Sequence, residues 1–367
     1  MVDILKREEI QTERQYNLDL LRALATVAMI ICHAVFRLGA HRPGYHDEFL
    51  FFLGDTILGE YLAVAHAFMF AMGICILYTR KGTPRDLILR GIRLYLLGYV
   101  LNFCRYGIYA LADGLITGEF VDETLFAFIS QDILQFAGLA LIATGVFRKL
   151  KLREAHIFVI GLLLSAIAAP LPFVTTGHFV LDTLIGHFIT TVGDTSCFPF
   201  CNWYLFVAAG MLFGAILRRT EDLDRFYRKL LAVSGCVAAV YIAATFVFGD
   251  FFLSREHLYY AASPMEAAGL LSIDLCFLSM FHFLLKRVPV SRLGVWIEMS
   301  LNMTPIYFIH WCILGFIESI FCYLLEMVFP YSLIYSIGAM LIIVSFFLAR
   351  LWRGRRDKKR TAKRFLK

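Results

Sequence analysis

The feature that most constrains this chain is a succession of apolar segments, each about twenty residues long and nearly free of charge, joined by short charged connections. A helix of that length crosses about 30 Å of hydrocarbon. Ten segments can be read, over roughly 18–40, 57–79, 87–112, 124–147, 155–175, 198–218, 229–249, 262–285, 297–324 and 331–352. Within a bilayer, backbone N–H and C=O groups must be satisfied inside the chain, which favours helices for isolated segments of this kind. The expected fold class is therefore all-α: a polytopic membrane helix bundle of about ten transmembrane helices. Composition agrees, with 59% hydrophobic and only 17% charged residues, against about 25% charge in a soluble domain. The expected organisation is a polar N-terminal segment 1–17, a transmembrane domain 18–352 and a basic tail 353–367. The first apolar run is long enough to span and reads as a helix, not a cleaved leader.

Lysine and arginine set the expected orientation. With the N-terminus inside, the inner connections hold Arg80, Lys81 and Arg85, then Arg148 to Arg153, Arg218 to Lys229, and Lys286 to Arg292, and the basic tail follows. The outer connections hold only Arg42 and Arg255, with Arg37 at an edge. This asymmetry and an even span count place both termini in the cytoplasm. The same distribution argues against nucleic acid as the reason for the net charge of +6. The tail reads either as a segment lying on anionic lipid or as a solvated extension. Most of the nine cysteines fall inside apolar segments, where a thiol packs as a small hydrophobe. Cys197 and Cys201 lie at a membrane edge and have the reach to pair, and no metal site is expected. The connection 176–197 reads as an interfacial segment or a plain connector.

An ionisable group inside a span costs about 2.5 to 3.5 kcal/mol and needs a partner or a task. Asp19 and Arg22 are three apart on the first span and share a face. His33 follows Arg22 by eleven residues, about three turns and roughly 16 Å along the same stripe. Arg90 and Arg93 open the third span on one face, beside Gly91, which would let a ligand approach. Two guanidiniums so placed can hold phosphates through fixed forks; alternatively they snorkel to headgroups. Further buried polar positions are Arg105, His66, Asp132, Gln135, Glu266, Asp274, Glu298, Asn302, His310 and Glu318. Several of these suit helix–helix hydrogen bonding, and His310 also suits a partner to a reactive group.

Taken in order, these residues resemble the transmembrane acyltransferase superfamily, comprising acyltransferase family three and the heparan-alpha-glucosaminide N-acetyltransferase-like proteins. Arg22 with His33 is similar to the first-helix pattern of family three. Arg90 and Arg93 match its R-x-x-R, and Phe68-Met-Phe-Ala-Met-Gly73 resembles its second-helix motif. Ile133-Leu-Gln135-Phe-Ala-Gly138 and Phe198-Pro-Phe-Cys-Asn-Trp203 look more like the N-acetyltransferase branch. Tyr307 to His310 resembles a late Y-x-x-H of both. The resemblance spans about 14 to 318.

The resemblance implies acyl transfer from cytoplasmic acyl-CoA, usually acetyl-CoA, to a hydroxyl or amine of an extracytoplasmic glycan, lipid-linked or other cell-envelope acceptor, in a bacterial plasma membrane. Acyl-CoA would be a co-substrate, with Arg22, Arg90 and Arg93 holding its phosphates and the thioester arriving near His33. The base is His33 or, as in the N-acetyltransferase branch, His46 or His41 in the following loop, with His310 as a further candidate in the catalytic set. Direct transfer and an acetyl-histidine intermediate both remain open. A secondary transporter or flippase for a polar or lipid-linked substrate is the alternative, since buried Arg, His and Asp suit that too. Against it, no inverted repeat is evident between the halves.

Overall fold

In a computed structural model, residues 8–45, 48–62, 65–79, 82–107, 114–115, 118, 128–171, 175–190, 197–248 and 260–365 are described. Among them the chain is all-helical. It begins with α1 (Tyr16–Gly39) and α2 (Phe49–Phe52), which continues as a π-helical stretch Leu53–Tyr61. Next come α3 (Ala65–Tyr78) and α4 (Pro84–Asn102), the latter running into π turns Phe103–Gly107. Then follow α5 (Ile133–Lys149), α6 (Glu154–Ala168), α7 (Phe179–Phe188), α8 (Phe200–Leu217), α9 (Leu223–Val247) and α10 (Pro264–Arg287). The last elements are α11 (Gly294–Leu301), α12 (Met303–Ile317) with π turns Glu318–Leu324, and α13 (Tyr331–Phe365).

Seven helices among the described residues are long and apolar enough to cross a bilayer: α1, α4, α8, α9, α10, α12 with its π extension, and α13. Shorter apolar helices cover Phe49–Gly59, Ala65–Tyr78 and Glu154–Ala168. Local chemistry explains where helices depart from the expected segments. Within the expected segment 124–147, α5 starts at Ile133, where Asp132 caps it and Gln135 reaches back to the Asp132 N–H at 3.3 Å, and residues 124–127 lie outside the described residues. The segment 297–324 breaks at Asn302, and Pro305 lies in the first turn of α12, where a missing N–H costs nothing. Ser263 and Glu266 exchange side-chain-to-backbone hydrogen bonds of 2.6 and 3.2 Å at the start of α10. Glu266, flagged by its place near an apolar run, is thus half of a capping box.

The described residues fall into two compact units, residues 1–15 with 65–284, and residues 16–64 with 285–367. In the first, α8 is buried all round, with Trp203, Tyr204, Phe206, Val207 and Met211 fully enclosed. Small residues bring its neighbours close. A Cβ on Gly73 of α3 would lie 3.0 Å from the Gly210 Cα of α8. One on Gly91 of α4 would lie 2.6 Å from the Gly138 carbonyl oxygen of α5. Such backbone approach is how membrane helices gain packing energy where no water is expelled. Gly91 therefore joins two helices and does not make room for a ligand, which corrects its expected part beside the arginines. On α9, Val233, Val237, Val240, Phe246 and Val247 are exposed as an apolar surface of the kind a bilayer would cover. The connection 176–197 contains α7, a short helix with Val180, Leu181, Leu184 and Phe188 exposed while Asp182 and His187 are buried. Cys197 and Cys201 are not joined as a disulfide.

In the second unit, α1 packs on α13, on the π stretch after α2, and on α11 and α12. Gly338 of α13 would place a Cβ 3.4 Å from the Ile31 Cα of α1. This brings together helices from the two ends of the sequence.

Candidate functional site

The polar residues of α1 meet those of α11 and α12 in a ladder. At the start of α1, Asp19 accepts a hydrogen bond from the Ser300 hydroxyl at 2.7 Å and lies 3.9 Å from the Arg22 guanidinium. Three turns further on, His33 Nδ1 and His310 Nε2 are 2.9 Å apart. One turn beyond, Arg37 binds Glu318 Oε2 through Nε at 2.8 Å and Nη2 at 2.6 Å. His41 Nε2 lies 3.2 Å from Glu318 Oε1. His33 and Arg37 are four apart on α1 and share a face, His41 lies in the turn just after that helix, and Glu318 opens the π turns about two turns beyond His310.

The hydrogen bonds of the histidine pair assign its tautomers. His310 is completely buried, and its Nδ1 lies 3.1 Å from the Ile306 carbonyl oxygen. A carbonyl only accepts, so Nδ1 carries the hydrogen and Nε2 of neutral His310 is an acceptor. His33 must then donate from Nδ1, and a neutral His33 keeps its lone pair at Nε2. The two ring planes differ by 9° with centroids 5.2 Å apart, which is an edge-to-edge N–H···N contact and not a face stack. Trp311 packs against His33 at 4.3 Å between centroids, and Tyr307 meets it edge-on at 6.2 Å. His33 is only partly buried. The arrangement is a fixed imidazole with a basic nitrogen opposite its anchor, and it can accept a proton or attack a carbonyl carbon.

His41 is arranged differently. Its Nε2 faces a carboxylate, which holds a hydrogen on that nitrogen. His46 lies outside the described residues. Arg90 and Arg93 sit on α4 in the other unit, both exposed. Arg105, further along the same helix, is buried, bonding Asp132 at 2.7 Å and Asn102 at 2.9 Å. It ties the end of α4 to the cap of α5. His66 and Asp274, both fully buried, pair at 3.0 Å between α3 and α10.

Spacing alone brings out the Arg22–His33 stripe and marks Glu318 and His310 as buried polar positions. It does not join Arg37 and His41 to Glu318, since those bonds close over 281 and 277 residues. The four-residue recurrence of His33, Arg37 and His41 past the apolar part of α1 is the signal that points to a second polar face opposite them.

No curated protein matches the chain significantly. The family model for acyltransferase family 3, described as an acyltransferase domain, matches residues 15–350, nearly the whole chain and every element of the ladder. The chain therefore belongs to acyltransferase family 3, as a membrane protein built around one acyltransferase domain.

Proposed function

We propose that this protein transfers an acyl group, acetyl in the simplest case, from acyl-CoA to a hydroxyl or amine of an extracytoplasmic glycan or other cell-envelope acceptor, in a bacterial plasma membrane. The observation that carries the reading is the hydrogen-bonded His33–His310 pair, which directs a lone pair to His33 Nε2. In the reaction, the acceptor oxygen or nitrogen attacks the thioester carbonyl carbon while His33 Nε2 takes its proton. The tetrahedral intermediate collapses, the C–S bond breaks, and the CoA thiolate leaves and is protonated. His310 stays neutral and positions the ring. General-base assistance of this kind is worth about 10² to 10⁴ in rate. Arg22, Arg90 and Arg93 serve the donor, as guanidiniums able to grip phosphate oxygens in pairs. Arg37 and His41, both held by Glu318, form a polar rim one to two turns beyond the base and suit hydroxyl-rich acceptors.

The test is incubation of the purified protein, in nanodiscs, with acetyl-CoA labelled in the acetyl group. Release of CoA thiol with label appearing on an added glycan is the expected result. Label retained on the protein would replace direct transfer with an acetyl-histidine intermediate. No CoA release with any acceptor, together with vesicle uptake of a labelled solute, would replace the enzyme by a transporter.

A further inference from the structure

A second polar arrangement lies in the other unit, where α8 ends. Residues 8–15 meet that end and belong to the same unit. The Ile10 and Gln11 amides both donate to the Arg218 carbonyl, at 2.7 and 2.9 Å, and the Gln11 side chain donates to the Thr220 carbonyl at 3.3 Å. These bonds serve carbonyls that a helix end leaves without partners. Glu9 has a different part. Its Oε2 lies 2.5 Å from Arg218 Nη2, and its Oε1 lies 3.1 Å from Arg219 Nη2. The carboxylate therefore bridges two guanidiniums, with one oxygen on each.

The guanidiniums are anchored and the carboxylate is not. Arg218 Nη1 donates to the Leu77 carbonyl of α3 at 3.1 Å, and Arg219 Nη1 donates to the Ala215 carbonyl at 2.9 Å. Their side chains are 20% and 18% exposed, against 35% for Glu9, whose neighbours Glu8 and Ile10 are exposed too. The fit is also incomplete. Nε and Nη2 form one edge of a guanidinium, and Arg37 uses both on Glu318. Arg218 uses only Nη2 on Glu9, and its Nε is buried with no hydrogen-bond partner among the described residues. The Tyr78 ring lies 5.7 Å from Arg218 Cζ, and its hydroxyl is likewise buried and unpartnered among the described residues. Arg218 Nε, Arg218 Nη2 and Arg219 Nη2 thus offer three donors where the carboxylate has two oxygens, both engaged. A phosphodiester, as in most phospholipids, also has only two free oxygens. A phosphate monoester has three, carries more charge, and suits paired guanidinium donors.

We propose that Arg218 and Arg219 form a binding site for a terminal phosphate group, for which Glu9 is the stand-in. The carboxylate fills the site in the free protein; the phosphate displaces it and adds the bond to Arg218 Nε. This ligand chemistry has two sources. One is the 3′-phosphate of CoA, an assignment that rests on the acyl-CoA reading above. The other is free inorganic phosphate, which does not rest on it. In either case Glu9 competes for the site, so the apparent affinity falls by the fraction of molecules in which the carboxylate is seated.

The experiment is equilibrium dialysis of labelled CoA, dephospho-CoA and inorganic phosphate against the full chain in phosphatidylcholine nanodiscs. The wild type is expected to hold CoA at least about tenfold more tightly than dephospho-CoA, the worth of one charge-assisted hydrogen bond. Glu9→Gln removes the stand-in and is expected to tighten CoA about threefold or more, with dephospho-CoA unchanged. Glu8→Gln removes an equal charge from the exposed neighbouring residue and is expected to change neither. Arg218→Gln with Arg219→Gln is expected to erase the preference for CoA over dephospho-CoA. Inorganic phosphate held as tightly as CoA, and tightened by Glu9→Gln but not by Glu8→Gln, would keep the site and make free phosphate its ligand; the acyl-CoA reading would then rest on the labelled-acetyl assay alone. Three results would overturn the site. The first is no tightening of either CoA or phosphate by Glu9→Gln, which reduces Glu9 to a surface ion pair. The second is equal tightening by Glu8→Gln, which reduces the effect to general charge. The third is a preference for CoA over dephospho-CoA that survives the loss of both arginines. The first two leave the anchored arginines untouched, so a double variant that fails to fold does not spare the proposal.

Discussion

At the scale of the residue, the proposed chemistry rests on which nitrogen of His33 holds a lone pair, and a chain of two hydrogen bonds decides it. The Ile306 carbonyl fixes His310, and His310 fixes His33. His33→Ala should lower turnover by about 10² to 10⁴ while leaving acyl-CoA affinity within experimental error. His310→Ala should lower turnover at least about tenfold and move the pH–rate profile, because the ring of His33 then loses its preference for one tautomer. Gln in place of His310 offers an acceptor for the same N–H and should recover part of the loss. A purely structural His310 would show lower stability in both variants with no change of profile. Assays of His41→Ala and His46→Ala alongside would expose a base elsewhere in the loop. Arg90→Ala with Arg93→Ala should raise the KM for acyl-CoA with little change in expression, and Lys at both positions should rescue only partly, since it lacks the fork. Wild-type KM in the double Ala variant would leave headgroup contact as the arginines' role. The identities of these residues were legible in the sequence, because a charge inside an apolar run stands out. Their pairings were not: His33 and His310 are 277 residues apart, and no local spacing links them.

At the scale of the element, polar residues in or beside apolar runs turned out to have two uses that periodicity does not separate. Asp132 with Gln135, and Ser263 with Glu266, fit the spacing of a capping box and close helix starts. Glu318 instead stands where α12 passes into π turns and binds across to α1. Small residues show the same ambiguity, and here the structure separates the cases. Gly91 and Gly138 form the contact between α4 and α5, so Gly91→Val or Gly138→Val should destabilise the protein by about 1 to 3 kcal/mol or more through overpacking. Gly235 on α9 has nothing within 4 Å of a built Cβ, so Gly235→Ala should be neutral or slightly stabilising. Thermal unfolding in detergent ranks the three variants, and equal Tm values would remove the close-packing argument. In α7, burial holds the His187 imidazole below its usual pKa. Its Nδ1 donates to the Thr183 carbonyl at 2.7 Å, and its Nε2 lies 3.0 Å from the Tyr99 hydroxyl, which donates to the Tyr95 hydroxyl at 2.9 Å. A folded pKa below the unfolded one means the stabilisation is complete above about pH 6.5 and is lost as pH falls from there through the lowered folded value. Hydrogen exchange of the 179–190 backbone should therefore accelerate as pH falls below about 6.5, beyond its intrinsic pH dependence, and His187→Gln should remove that excess.

At the scale of the whole molecule, the open quantity is how many helices cross, and it fixes which face of the membrane every loop meets. Among the described residues, seven helices satisfy length and hydropathy outright. Helices α3, α5 and α6 have 14, 17 and 15 residues, or about 21 to 25 Å, short of a full hydrocarbon core. Each still stands where the charge pattern requires a crossing. Arg80 to Arg85 follows α3, Arg148 to Arg153 lies between α5 and α6, and the outer connections remain almost without lysine or arginine only if all three cross. A short helix can meet the bilayer by local thinning at a modest cost. The two counts make opposite forecasts at every reporter position. With ten crossings and the N-terminus in the cytoplasm, fusions at Leu115 and His178 should report the outside and a C-terminal fusion the inside. With only the seven long helices crossing, Leu115 and His178 would both fall inside and the C-terminus outside. The ten-crossing arrangement would also put His33, in the second half of α1, towards the face where the proposed extracytoplasmic acceptor would arrive, and Arg90 and Arg93, at the start of α4, towards the cytoplasmic face from which the proposed acyl-CoA donor would come. Alkaline phosphatase and green fluorescent protein fusions at the three positions therefore test the topology and the direction of acyl transfer together. An active phosphatase at the C-terminus would refute both.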